Sequence, residues 1–300
     1  MHAGLGEEAR GIRAACAVAS AHGLACGEAS ILAYKGGNIV VHLAPSPVVA
    51  RTATLRAALH VDIERWLRRE VAIGRFLADA GAPSTAPSDL LPPGPHERDG
   101  VWMTMWQRLE HDPRVVPPAS AAGASLRRLH EVLAGYDGDL PPYTALLSEI
   151  GRLLDETSDD PELDRRDRML LYAELDRLAP VLFEVGLPTQ PLHGNASLRH
   201  LLSDRGRLAW SNFEDACRGP LAWDLGALAL TLRQRGATQA DVDEALRAHG
   251  LGIEAPELEP FIAAHALYET AWLAFLAQRR PSWRGPANDQ LGWWRATHER

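Results

Sequence analysis

Between Gln190 and Leu225 the chain gathers the side chains best suited to chemistry: His193, Asn195 and His200, then Asn212, Glu214 and Asp215. The two groups flank two short apolar runs, Leu201-Leu202 and Leu208-Ala209-Trp210, joined by the polar turn Ser203-Asp204-Arg205-Gly206. That pattern predicts a β-hairpin, which returns the chain to its starting point and brings the flanking polar groups together. Asn195 has the shape of an aspartate without its charge, so it can hydrogen-bond a hydroxyl and cannot take its proton. His193 and His200 offer imidazole nitrogen, which suits a softer ion such as Zn²⁺; two histidines alone are a weak metal signal. The plainer reading has His193 bracing its loop through backbone hydrogen bonds and His200 filling space. Glu214 and Asp215 are the anionic residues directly after the second apolar run, able to reach a hard cation.

A second pair of chemical interest lies upstream. Apolar residues Ile63, Trp66, Leu67, Ile73 and Leu77 recur at helical spacing over residues 61–80, and Glu70 sits on the same stripe. A carboxylate on a buried face is costly unless paired, and Arg51, in the apolar run Val48 to Thr52, is the partner that the resemblance set out below implies. An arginine fork grips carboxylate and phosphate alike, so the pair reads either as a core ion pair or as part of an anion site. Lys35-Gly36-Gly37-Asn38 is equally open. It is a plain turn between strands, or a loop whose glycines let the backbone approach phosphate.

These residues need elements to position them. Residues 7–22 favour a helix closed by Gly23. Strands are expected at 29–34, 39–43 and 48–52, a three-run meander, and again at Val101 to Trp106. Residues 84–100, rich in Pro, Ser and Asp, read as a loop. Helices are expected at 119–134, 146–155, 168–185, 223–235, 238–249 and 257–280, with Thr238 and Asp241 as a capping pair. Asp155 to Asp167 reads as a solvated face between helices. The C-terminus interleaves Trp283, Trp293 and Trp294 with Arg280, Arg284 and Arg295, a pattern expected from tryptophans packed under arginine stems.

Composition bounds the class. Three hundred residues, 46% hydrophobic and 23% charged, fit an ordinary globular protein with a sizeable core. A formal net charge of −8 without a basic run argues against nucleic acid as a partner. No apolar run reaches membrane-spanning length, so a membrane is not expected either. Cys16, Cys26 and Cys217 lack metal-type spacing; buried or idle thiols in a reducing cytoplasm are the expectation. Lys35 is the sole lysine among 31 basic residues, so any phosphate-gripping cation elsewhere must be an arginine.

The His193-Gly194-Asn195 step, the hairpin, and the run Trp210 to Leu225 (WSNFEDACRGPLAWDL) resemble the aminoglycoside phosphotransferase family, small-molecule kinases with a protein-kinase-like fold. The run looks like an actinobacterial branch of it. The resemblance extends over roughly residues 28–280. It implies an α+β fold of two lobes: residues 1–110 a β-rich N-lobe with one key helix, and 111–300 a mainly helical C-lobe carrying the 190–225 loop and hairpin. It further implies Gly36 and Gly37 at the phosphate loop, Arg51 and Glu70 as the cation and carboxylate of the nucleotide site, and the Trp102, Met103 and Met105 strand at the adenine edge. Asp224 in Trp-Asp-Leu would anchor the loop. Three family positions are exchanged: Asn195 stands at the catalytic aspartate, His200 at the metal-binding asparagine, and Asn212 at the metal-binding aspartate. ATP is thus the candidate cofactor, while the exchanges argue against Mg²⁺. The expectation is a pseudokinase-like binder of a small molecule or nucleotide. An active phosphotransferase drawing on Glu214 or Asp215 is the alternative. A cationic small molecule would suit the acidic surface, and a protein partner is compatible with the same reading.

Overall fold

A computed structural model describes residues 2–35, 37–53, 62–157 and 163–298. In chain order these form α1 (His2–Ala21), β1 (Cys26–Lys35), β2 (Asn38–Pro45), β3 (Val48–Ala53), α2 (Ile63–Asp79), β4 (His96–Arg98) and β5 (Val101–Gln107). Then come α3 (Ala119–Leu133), α4 (Ala145–Glu156), α5 (Arg165–Phe183), β6 (Gln190–Leu192), β7 (Leu201–Asp204), β8 (Arg207–Trp210) and β9 (Cys217–Gly219). The chain ends in α6 (Leu221–Gln234), α7 (Gln239–His249), α8 (Glu259–Arg279) and α9 (Arg284–His298). Two compact units result: Met1–Pro118 with Ser125–Asp139 and Arg199–Ala216, and Ala119–Ala124 with Leu140–Leu198 and Cys217–Arg300.

The first unit is built on an antiparallel sheet of order β1-β2-β3-β5-β4. Every residue of β3 is buried, because the strand lies between β2 and β5 and is covered on both faces. Ala14, Ala15, Val18 and Ala19 of α1 join Ile39, Val41, Leu43, Met103 and Met105 in one apolar cluster. Trp66 and Leu67 of α2 pack with Ala53 and Trp102 in another. The side chain of Asp62 accepts a hydrogen bond from the Arg65 amide (3.0 Å) and so starts α2. The hairpin expected around residues 203–206 is present as β7 paired with β8. The short, polar β4 was expected to be loop; it forms by pairing with β5, not through any propensity of its own.

Two expectations are corrected here. Cys16 and Cys26 are not idle thiols: they form a disulfide, with Cα atoms 5.4 Å apart, tying α1 to β1. The chain reverses at Gly23, in a left-handed conformation, and brings the two residues side by side, which spacing alone does not reveal. Cys217 is buried and takes no part in a disulfide. In the second unit, the far end of the charged run is not a solvated face. Asp167 is buried on the first turn of α5, paired with Arg295 of α9 through Nε at 2.7 Å and a second, shorter contact. Residues 158–162 of that run lie outside the described residues.

The second unit centres on α6 and α8, which carry buried residues all around their circumference; that is the pattern of core helices. Gly226 permits their close approach, since a Cβ there would sit 2.7 Å from Phe261 Cβ. The C-terminal segment forms a helix not anticipated from its composition. Trp294 is buried with its indole N–H donating to Thr270 Oγ1 at 2.8 Å, while Trp293 is exposed. The Thr238–Asp241 capping box starts α7 as expected. No described helix is long and apolar enough to cross a membrane.

Candidate functional site

In the first unit, the central position of β3 forces the Arg51 side chain into the interior. Its backbone neighbours are Val40 on β2 and Thr104 on β5, and the residue is 9% exposed. A guanidinium so placed must be hydrogen-bonded. One terminal nitrogen donates to Glu70 Oε1 and the other to Glu214 Oε2. Glu70 is fully buried between Leu67 and Ile73, as the helical stripe of α2 requires. Glu214 arrives from a single 3-10 turn, Phe213–Asp215, just after β8, and is 2% exposed.

Glu214 is the focus of the cluster. Its Oε2 also accepts from Asn38 Nδ2 (2.9 Å), at the start of β2, and its Oε1 accepts from Asn212 Nδ2 (3.1 Å). Two carboxylates therefore face one guanidinium, and two neutral amides also donate to Glu214. Asn212 has left-handed backbone angles (φ 73°, ψ 56°), a conformation that asparagine adopts more readily than most residues. Its Oδ1, Asn38 Oδ1 and Glu70 Oε2 are buried and accept no hydrogen bond from the described residues. The carbonyl of His200 closes the hairpin base, accepting from the Ser211 amide (2.8 Å) and hydroxyl (3.0 Å).

The second unit holds the loop that follows β6. β6 pairs with β9, which fixes the start of the loop at His193. Asp224, fully buried in the first turn of α6, accepts from the His193 amide through Oδ2 (2.8 Å) and from the Gly194 amide through Oδ1 (2.9 Å). Gly194 has φ +85°, which a side chain would resist. Its carbonyl accepts from the Trp223 indole (2.8 Å), and the Asn195 amide donates to His193 Nδ1 (3.3 Å). Leu198 is tied down in turn by the Thr231 hydroxyl (3.1 Å). The Trp223 ring lies tilted by 45° against that of His265, with centroids 4.2 Å apart, and His265 Nε2 meets the Trp223 carbonyl at 3.0 Å.

Among the residues singled out from the sequence, the structure thus joins Arg51, Glu70, Glu214 and Asn212 in one cluster, and His193, Asn195 and Asp224 in one loop. Gly36 lies outside the described residues; Gly37 is a turn residue with φ +83°. Trp102, Met103 and Met105 pair with β3, and Trp102 and Met103 also with β4. The Met105 amide donates to Pro93 and its carbonyl accepts from Ser88 (both 2.9 Å), while both methionine side chains belong to the core. Asn38, Trp223, Thr231 and His265 were not singled out. For Asn38 the one available signal was a polar residue directly after Gly-Gly; for Trp223, its place beside Asp224 at a helix start. Among the described residues no three His, Cys, Asp or Glu side chains converge as a metal ion would need.

The sequence matches the model of the phosphotransferase enzyme family over residues 40–261. No curated protein matches it. Among solved structures, the GDP and kanamycin complex of APH(2")-IIia is 15% identical with a TM-score of 0.66, covering 94% of this chain and 98% of its own. Choline kinase LicA from Streptococcus pneumoniae is 12% identical with a TM-score of 0.65, covering 92% and 96%. APH(3'')-Id from Streptomyces rimosus, in complex with ADP and streptomycin, is 16% identical with a TM-score of 0.63, covering 86% and 98%. Likeness at these identities establishes the fold. It is the expected α+β, protein-kinase-like fold, with an antiparallel sheet in the N-terminal lobe and a helical C-terminal lobe.

Proposed function

The chain belongs to the phosphotransferase enzyme family, and on that footing we propose that it is a degenerate member, a binder of a small molecule or nucleotide with little or no phosphotransfer. The observation that carries this reading is the donor chemistry at three exchanged positions. Asn195 can orient a hydroxyl but cannot remove its proton, and a positioned base is worth about 10²–10⁴ in rate. His200 offers nitrogen and Asn212 a neutral amide where a hard cation prefers anionic oxygen. Glu214, the nearest carboxylate to Asn212, has both oxygens engaged by Arg51, Asn38 and Asn212. The donor set does not fit Mg²⁺. Phosphoryl transfer without such an ion lacks the main stabiliser of its developing charge.

Support for a retained binding role comes from what is kept. Arg51 and Glu70 still pair, and Asp224 still holds the His193–Gly194 amides. Small-molecule substrates of the kanamycin, streptomycin or choline type set the panel to test, because structural neighbours are named for them. The decisive measurement is turnover of ATP with Mg²⁺ or Mn²⁺ across that panel, on the native chain and on the triple reversion Asn195→Asp, His200→Asn, Asn212→Asp. No turnover is expected from the native chain, and metal-dependent nucleotide binding from the reversion. Ordinary turnover by the native chain overturns the proposal.

A further inference from the structure

Arg51 is held from two sides by carboxylates, and only one of them was foreseen. Glu70 satisfies the guanidinium as a buried charge requires. Glu214 then adds a second anion to a site that one anion already neutralises. Glu214 and Glu70 thus share one guanidinium, in an interior where each of the three residues is at most 9% exposed. Such an arrangement persists only if the extra carboxylate is firmly held. It is: Arg51 on β3, Asn38 at the head of β2 and Asn212 after β8 all donate to it.

Carboxylate and phosphate oxygens compete for the same guanidinium fork. We infer that Glu214 is a built-in counter-anion that occupies Arg51 in place of a ligand phosphate, so that the chain discriminates against phosphate-bearing ligands at this position. This deepens, and rests on, the reading of the chain as a degenerate phosphotransferase. An incoming phosphate meets a guanidinium whose two terminal nitrogens are already engaged by carboxylates. Asn38 strengthens the block, because it ties Glu214 to the strand that follows the Gly-Gly turn.

The test is a binding measurement without metal and without turnover, so its outcome is separate from that of the parent reading. Inorganic pyrophosphate, ATP and adenosine are titrated calorimetrically into the native chain, Glu214→Gln and Arg51→Met/Glu214→Gln. Glu214→Gln keeps the shape of the side chain and leaves the Arg51–Glu70 pair in place. Asn212, whose Oδ1 accepts no hydrogen bond from the described residues, can turn its amide to meet the new glutamine NH₂. The expected result is a gain of about tenfold or more for pyrophosphate and ATP on Glu214→Gln, matching the removal of one charge-assisted competitor worth roughly 1.5–3 kcal/mol. Adenosine binding stays unchanged, and the double variant loses the gain. A folded Glu214→Gln with native affinity for pyrophosphate overturns the inference and leaves the proposed lack of phosphotransfer standing. A native chain that already binds pyrophosphate as tightly as the variant overturns it too. Should Glu214→Gln fail to fold, Asn38→Ala, which removes one donor from Glu214, carries the test; no gain in pyrophosphate affinity there refutes the counter-anion role.

Discussion

At the scale of single residues, the site is governed by where buried polar groups find partners. Asp224 illustrates this most directly. Its two oxygens satisfy two consecutive amides, so removing the carboxylate leaves buried donors unmet. Each unmet group costs about 1–3 kcal/mol. Asp224→Ala should therefore lower stability by roughly 3 kcal/mol and Asp224→Asn by less, because the amide retains one acceptor. Urea denaturation midpoints read both, and an Asp224→Ala protein as stable as the native chain would remove Asp224 from its anchoring role. The Arg51–Glu70 pairing was legible for the same reason: a charge on an apolar stripe has to be answered. Glu214 was not, because nothing in the spacing says that a residue after the hairpin returns to β3.

At the scale of elements, α6 must be placed before Asp224 can reach the loop, and Gly226 sets that placement. In an ordinary helix interior, replacing glycine by alanine gains about 1 kcal/mol from propensity. Here the added methyl would lie 2.7 Å from Phe261 Cβ and 3.0 Å from its carbonyl carbon, on the backbone of α8, which cannot step aside cheaply. Overpacking of this kind costs about 1–3 kcal/mol. Gly226→Ala should thus destabilise, with a lower melting temperature in a calorimetric scan; a higher one would show that α6 and α8 have room to spare. The long helices and central strands were readable from periodicity alone. β4, β6, β9 and α9 were not, since three-residue strands exist only by pairing with a neighbour, and α9 presents few apolar residues to a period-based reading.

At the scale of the whole molecule, stability should depend on acid in a direction fixed by Glu174. The hydrogen bonds from Arg177 hold its carboxyl below the usual glutamate value of 4.5, with a smaller contribution from His298 of α9. A lowered carboxylate value means that the folded state releases this proton more readily than the unfolded one. Its contribution is fully present above pH 4.5 and is lost as the pH falls through the lowered value. Glu174→Gln should flatten that part of the pH profile, as read from urea midpoints at descending pH. Equal slopes in the two proteins would place the acid sensitivity elsewhere.

Much of the fold was determined by the sequence itself. Apolar spacing specifies the main helices and the meander, the polar turn specifies the hairpin, and the Trp210 to Leu225 run carries the family resemblance, because these are local patterns set by the periods of helix and strand. The identities of Asn195, His200 and Asn212 are likewise sequence facts. Only the tertiary structure decided that Glu214 fills the fork of Arg51, that Cys16 meets Cys26, and that Asp167 is buried against Arg295. Each of these joins groups far apart in the chain or across a reversal, where proximity is produced by packing and leaves no periodic trace.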